Sequence, residues 1–157
     1  MKNNILKLII IFFLFLSFFN ANGSEQFNFD VTEIQILENG NKFIGTKRGI
    51  VSNDDGVEIE ADYFEYNKNT NILEAKGNVI VLDKIKKYTI YSDQLIYKKN
   101  DNFIFTNGNS KAISSEDNIV INGDIFEYER NKNIINAQNN VVIENKKKDY
   151  LINSDFI

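Results

Sequence analysis

Four aspartates recur at one fixed interval, and they are the residues whose spacing most directly suggests chemistry. Asp62, Asp93, Asp124 and Asp155 follow one another every 31 residues. Carboxylates at equal intervals could bind cations if the segments that carry them stack, but a Ca²⁺ site surrounds each ion with several oxygens, and each copy here supplies one Asp. We therefore expect a structural Asp that accepts backbone N–H hydrogen bonds at a bend, and no metal site.

Other routes to catalysis are few. Glu58 and Glu60 form an acidic pair of the kind used in glycoside hydrolysis, but they alternate with apolar residues and so occupy the solvated face of a strand. The sequence has no His and no Cys. Imidazole bases, Ser–His and Cys–His pairs and disulfides are therefore excluded. We expect a protein that is not an enzyme and that needs no cofactor.

The aspartates belong to a longer repeat that organises the chain. Segments that begin at Val57, Tyr88, Ile119 and Tyr150 superpose at the same 31-residue interval. In each, the third residue is Ile, the sixth is the Asp, and the fifth is small: Ala61, Ser92, Gly123 and Ser154. Such regularity predicts an array of one supersecondary unit. The segment 27–51 fits the register only loosely, as terminal repeats do.

Alternation of apolar residues within each unit indicates strands. Val57, Ile59 and Ala61 share one face, and beyond Asp62 the apolar phase changes by one residue. A strand changes phase through a bulge or a corner, so each unit is expected to bend once. Turns rich in Asn and Gly separate the strands. The predicted fold class is all-β.

The first residues predict export. Lys2 and Lys7 precede an apolar run at 8–19, and small residues follow the run at 21–23. A membrane-spanning helix needs roughly 20 apolar residues, so a signal peptide at 1–23 is favoured over an anchor. Residues 24–157 would form one domain, either with an open edge or truncated, since the chain stops inside a fourth copy. The 18 basic and 22 acidic residues argue against a nucleic-acid partner.

Apolar columns of the repeat are the candidate binding residues. Their simplest role is core packing, since burial of each large apolar side chain contributes about 1.5–3 kcal/mol. The small-residue column suggests instead that two facing sheets enclose a groove. The residues alone leave both roles open. The candidate groove residues are Ile59, Phe64, Tyr66, Ile72, Val79, Ile90, Leu95, Tyr97, Phe103, Ile121, Phe126, Tyr128, Ile134 and Val141.

Two stretches of the repeat resemble a known family. Residues 61–66, Ala-Asp-Tyr-Phe-Glu-Tyr, with 72–79, Ile-Leu-Glu-Ala-Lys-Gly-Asn-Val, are similar to the repeat of the OstA-like lipopolysaccharide-transport family, and 123–128 with 137–141 repeat the match. That family includes LptA, LptC and the N-terminal domain of LptD. The resemblance covers roughly 27–157. Two positions depart from it: Asn139 replaces a Gly, and Ser110 replaces an apolar residue.

The resemblance implies an incomplete β-jellyroll, shaped like a folded taco, whose apolar groove holds the acyl chains of lipopolysaccharide. It further implies a periplasmic protein, associated with the outer membrane through partners, that joins other OstA-like modules head to tail by strand addition. Ile152, Phe156 and Ile157 would make the strand-edge contacts. The stop inside a repeat favours an N-terminal fragment of LptD, then an LptA-like protein, and the short apolar run argues against LptC.

The rival prediction belongs to a different class of protein. A secreted or surface β-solenoid, serving as an adhesin or a carbohydrate-binding module, would also show a regular strand repeat. It would bury its interior completely and bind on its outside. An accessible apolar groove would distinguish a transport module from such a solenoid.

Overall fold

The computed structural model describes residues 27–145, 147–148 and 150–157, and the backbone there is almost entirely extended. The predicted signal peptide, 1–23, lies outside these residues, and the all-β prediction is confirmed. Within the described ranges, no helix has the length and apolar character needed to cross a membrane. The strands are β1 (Asn28–Leu37), β2 (Lys42–Ser52), β3 (Val57–Asn67), β4 (Ile72–Asp83), β5 (Tyr88–Lys98), β6 (Phe103–Ser114), β7 (Ile119–Glu129), β8 (Ile134–Asn145) and β9 (Tyr150–Phe156), with 3₁₀ turns at Glu38–Gly40 and Lys99–Asp101.

The nine strands form one antiparallel sheet in the order β1 to β9, so that each strand pairs with its neighbours in sequence. A parallel β-helix instead stacks strands from successive coils side by side in the same direction. The described chain therefore does not adopt that solenoid architecture.

Every strand pair contains a register shift at the same point of the repeat. Between β3 and β4 the shift lies between Glu60 and Tyr63. Opposite Asp62, β4 carries two residues with positive φ, Gly77 at 78° and Asn78 at 47°. The predicted bend is thus confirmed, but the bulge is on the strand opposite the aspartate.

The inner face stays continuous through the bend because the spacing between consecutive buried residues differs from one strand to the next. On β3 the buried residues Ala61 and Phe64 are three positions apart, whereas on β4 the buried residues Ala75 and Val79 are four apart. The extra residue on the even-numbered strand is the bulge. Apolar side chains therefore face inward on both sides of the bend.

The bends lie along one line and fold the sheet into two half-sheets. The first half-sheet contains the beginnings of the odd-numbered strands and the ends of the even-numbered strands, and the second contains the remaining parts. Phe27, which precedes β1, packs edge-on against Tyr66 at the end of β3, with ring centroids 5.0 Å apart. Its ring lies 5.7 Å from that of Tyr97 at the end of β5. The hydrophobic core lies between the half-sheets.

Candidate functional site

The interior between the half-sheets contains most of the predicted groove residues. Their alternation in sequence places them on the inner face, and the antiparallel register aligns them from strand to strand. Ten of them are buried, and Ile121 packs against this core. The buried ones are Ile59, Phe64, Tyr66, Val79, Ile90, Leu95, Tyr97, Phe126, Tyr128 and Val141. Their role in binding a lipid stays a prediction.

Three predicted groove residues lie on the opposite face. Ile72, Phe103 and Ile134 are the first residues of β4, β6 and β8, and the inward orientation expected of them is wrong. Ile134 is 44% exposed, and the Phe103 ring lies under the Lys98 ammonium on the outside, 5.6 Å from it. The inward residues are their successors, Leu73, Ile104 and Ile135.

The repeated aspartates occupy the bend, as predicted, but their hydrogen-bond donors differ from those expected. For three of the four, a side-chain amide in the bulge of the following strand donates to the carboxylate, in place of a backbone N–H. The pairs are Asn78 with Asp62 at 2.7 Å, Asn109 with Asp93 at 2.8 Å and Asn140 with Asp124 at 2.9 Å. The bulge opposite each Asp positions these amides.

Asp62 also accepts a hydrogen bond from a guanidinium of the leading repeat. Arg48, in the bulge of β2, donates from Nη1 to Asp62 at 2.9 Å and from Nε to Glu60 at 3.0 Å. The hydrogen bond from Asn78, followed by that from Arg48, lowers the pKa of Asp62.

Outside the bend lies a cavity of about 570 Å³, lined by residues that include Arg48, Asp62 and Tyr91. No group of three or more His, Cys, Asp or Glu side chains suited to a metal ion occurs among the described residues.

The half-sheets meet again where the strands end, and the turns that face each other there are termed the lip. The first half-sheet contributes turns 53–56 and 84–87, and the second contributes turns 99–102 and 130–133. Polar side chains at the ends of the strands cap these turns. Asn53 and Asp83, for example, accept hydrogen bonds from backbone N–H groups two to four residues ahead.

Arg130 crosses the lip and is only 5% exposed. Its Nε donates to Asp83 Oδ2 at 2.7 Å, and its Nη2 donates to the Asp55 carbonyl oxygen at 3.1 Å, both on the first half-sheet. Its Nη1 donates to Tyr97 Oη at 3.2 Å and to Asn102 Oδ1 at 3.0 Å, both on the second. Arg130 and these partners are termed the latch.

Asp83 is the anionic centre of the latch. Burial alone would raise the pKa of its carboxyl, but hydrogen bonds from Arg130 and from the Lys86 backbone outweigh burial and hold the pKa below the usual value. Tyr128 Oη donates a further hydrogen bond to it at 3.2 Å. Burial, followed by the charge of Asp83, raises the pKa of Tyr128. Asp83 is therefore ionised and Tyr128 protonated at neutral pH.

A second ion pair crosses the lip beside the latch. Lys99, in the 3₁₀ turn of the second half-sheet, pairs with the carboxylate of Asp55 on the first. Burial, and then the nearby charge of Arg130, lower the pKa of Lys99. Two cations on one half-sheet thus face two carboxylates on the other.

Sequence reasoning did not single out the latch. A signal existed in the basic column Lys68, Lys99 and Arg130, which recurs at the 31-residue interval. Such a column is typical of charged residues in solvated turns, however. No local feature of the sequence indicates that Arg130 contacts a carboxylate 47 residues away. Only the folding of the sheet brings the two together.

The interior is open at both ends of the described sheet. On β1, Ile36 lies opposite Phe43 on the inner face and is 58% exposed. On β9, Ile152 lies opposite Ile143 on the inner face and is 43% exposed. β1 and β9 are the edge strands of this sheet.

The predicted edge contacts of β9 divide between its faces. Ile157 exchanges two backbone hydrogen bonds with the buried Ala137, and so faces inward like Ile152. Phe156 lies opposite Gln138 on the outer face. All three predicted residues, Ile152 included, are exposed, and their contact with a partner stays a prediction.

An antiparallel sheet folded along a line of bulges, with an apolar interior and open ends, is an incomplete β-jellyroll of the LptA-like kind. The chain is similar in structure to LptH, the LptA-homologous periplasmic component of the conserved lipopolysaccharide-transport device from Pseudomonas aeruginosa. The TM-score is 0.65 over 76% of this chain and 86% of LptH, at 12% sequence identity. The resemblance to the OstA-like family is thus confirmed at the level of the fold. No protein-family model and no curated protein matches the sequence.

Proposed function

We propose that this protein is a lipopolysaccharide-transport module that holds acyl chains between its half-sheets while the sugars remain in water. The observation that carries the proposal is an apolar interior that continues to exposed inner residues at both edge strands, Ile36 on β1 and Ile152 on β9. The structural likeness to LptH supports it. Apolar burial is non-directional, so tails can slide along such an interior without any catalysis by the chain.

Acyl chains enter this interior when the half-sheets separate. The side chains that would line the groove, Phe64 and Phe126 among them, belong to one buried hydrophobic cluster in the closed form. The bend serves as the hinge, because the bulges at Gly77 and its equivalents already hold the backbone in a turned conformation. The lip is the edge that opens, since the half-sheets are joined there by side chains and not by strand pairing.

The proposed location is the periplasm, reached through the signal peptide at 1–23, with outer-membrane association through partner modules. The edge strands β1 and β9 offer unpaired backbone groups for head-to-tail strand addition. Exposed inner residues at both edges would continue the apolar interior from one module into the next. Water would then be excluded along the whole path.

Binding of a fluorescent lipid A analogue tests the proposal. We expect saturable binding that unlabelled lipopolysaccharide displaces. Ile36→Glu and Ile152→Glu place a charge on the exposed inner face and should weaken binding, whereas Leu151→Glu, exposed on the outer face of β9, should not. Phe64→Glu and Phe126→Glu should abolish binding, with circular dichroism to confirm that each variant folds. A folded wild-type protein that binds no lipid A would contradict the proposal.

A further inference from the structure

The two ion pairs that cross the lip have the same polarity, although turn 84–87 of the first half-sheet also carries Lys84, Lys86 and Lys87. Arg130 and Lys99 both belong to the second half-sheet, and the carboxylates of Asp83 and Asp55 both belong to the first. Separation of the half-sheets would therefore leave two unpaired cations on one side of the opening and two unpaired anions on the other. A ligand that enters between them meets both sets.

We propose that Arg130 and Lys99 bind the phosphate of the amphiphile whose tails occupy the interior, so that this headgroup replaces Asp83 and Asp55 as their partner. This inference rests on the proposed transport function and assigns the headgroup subsite within it. An anionic headgroup attached to apolar tails must lie at the boundary between the interior and water. The lip is that boundary.

Arg130 is held ready for such an exchange by its own half-sheet. Its Nη1 contacts, to Tyr97 and Asn102, do not cross the lip and survive opening. Its Nε and Nη2 contacts, to Asp83 and the Asp55 carbonyl, do cross and are released. Guanidinium groups bind phosphate through two parallel N–H···O bonds, and charge-assisted bonds of this kind are roughly twice as strong as neutral ones. Opening thus frees an oriented pair of donors.

The exchange also explains how a closed lip can open at all. Loss of its partner would leave the buried guanidinium uncompensated, which is strongly unfavourable. A phosphate supplies the missing negative charge, while Asp83 keeps the backbone N–H groups of Ile85 and Lys86 and gains water. A phosphorylated amphiphile therefore opens the lip more readily than the same lipid without phosphate. The latch selects for the headgroup as well as closing the interior.

A pair of variants separates headgroup binding from simple closure. Asp83→Asn loosens the latch but keeps both cations, and Arg130→Gln loosens it and removes one. The probes are lipid A and the same lipid A dephosphorylated. We expect the wild type to bind the phosphorylated form roughly tenfold more tightly, from the strength of charge-assisted hydrogen bonds. Asp83→Asn should keep that ratio, and Arg130→Gln, which leaves Lys99 in place, should lower it severalfold toward one.

Other outcomes are equally informative. If both variants keep the same ratio as the wild type, Arg130 only closes the lip and the headgroup assignment is wrong. If inorganic phosphate alone, at the concentrations of lipid used, raises the melting temperature as much as lipid A does, the site takes a free anion and the assignment is again wrong. If neither lipid binds the wild type, the transport function itself fails, which is a distinguishable result.

Two measurements protect the test against a variant that fails to fold. Arg130→Lys keeps the charge but loses the planar fork, and should retain part of the preference for phosphate. In the wild type, the preference for phosphorylated lipid A should fall as salt is raised from about 0.01 to about 1 M, because the open lip exposes the guanidinium–phosphate pair to water, where salt screens it. A preference that does not change with salt would contradict a phosphate contact at the lip.

Discussion

Arg130 and Asp83 lie 47 residues apart and on opposite half-sheets, yet the guanidinium Nε donates to the carboxylate at 2.7 Å. Both side chains are almost fully buried. No strand pairing joins β4 to β7, so this contact and its neighbours tie together two parts of the sheet that the ladder leaves separate. The latch therefore holds the half-sheets together at the lip, where no strand pairing joins them.

Removal of Arg130 should destabilise the protein strongly. Arg130→Met leaves the Asp83 carboxylate buried without its cation, and we expect the free energy of unfolding to fall by about 3–5 kcal/mol. The double variant Arg130→Met with Asp83→Leu should lose less than the sum of the two single variants, since neither charge then remains unpaired. Urea denaturation followed by circular dichroism measures all three.

The matched control is a surface ion pair in the same turn. Lys132 contacts Glu129 with both side chains partly in water, and Lys132→Met should change the free energy of unfolding by no more than about 1 kcal/mol. Equal effects of Lys132→Met and Arg130→Met would show that burial of the latch has no energetic weight.

Acid should weaken the latch. Because the pKa of Asp83 is lower in the folded protein than its ordinary value of 3.8, the folded state favours the ionised carboxylate. The resulting stability is complete well above that ordinary value and is lost as the pH falls through the folded pKa. The melting temperature should therefore fall more steeply below about pH 4 in the wild type than in Asp83→Asn. If the melting temperatures of the two proteins fall in parallel with pH, the ionised Asp83 does not stabilise the folded state.

Substitution of the glycine in the bend should be costly. Gly77 has φ at 78°, and a Cβ there would lie 2.6 Å from Asp62 Oδ2. Gly77→Ala should lower the free energy of unfolding by more than the roughly 1–2 kcal/mol expected from a left-handed backbone alone. Gly40→Ala is the control, because Gly40 has φ at 89° but no atom within 4 Å of an added Cβ. If both variants lose the same amount in thermal melts, contact with Asp62 is unimportant.

The edge strand β9 should support association between copies. Ile152 is exposed on the inner face beside an unpaired strand edge, and Ile152→Lys should shift the equilibrium toward monomer in sedimentation experiments over a range of concentrations. Leu151→Lys, exposed on the outer face of the same strand, should have a smaller effect. A wild-type protein that stays monomeric at all concentrations would contradict association through β9.

The repeat made the strands and their bend predictable, because one period carries both the alternation and the phase change at Asp62. The inward column at the start of the even-numbered strands was not predictable in the same way. There two apolar residues are adjacent, as in Ile72 and Leu73, and the choice between them depends on which one pairs with Tyr66. The register across the turn decides it, and Leu73 is that partner.

The hydrogen bonds at the bend and the lip show two further limits. The partner of Asp62 is a side chain 16 residues ahead, and its position depends on a bulge that a single strand does not reveal. The latch requires contacts across the folded sheet, which local alternation does not encode. Asn139 was identified as a departure from Gly, and its φ of 63° shows that Asn performs the same conformational task there.

Each copy of the repeat adds two strands and one bend, and neighbouring strands lie about 4.8 Å apart. An internal duplication of 31 residues would therefore lengthen the molecule by roughly 10 Å without altering its cross-section. The length of such a protein increases in fixed increments along one axis. Gene duplication would thus change the length of the folded sheet in steps of one repeat.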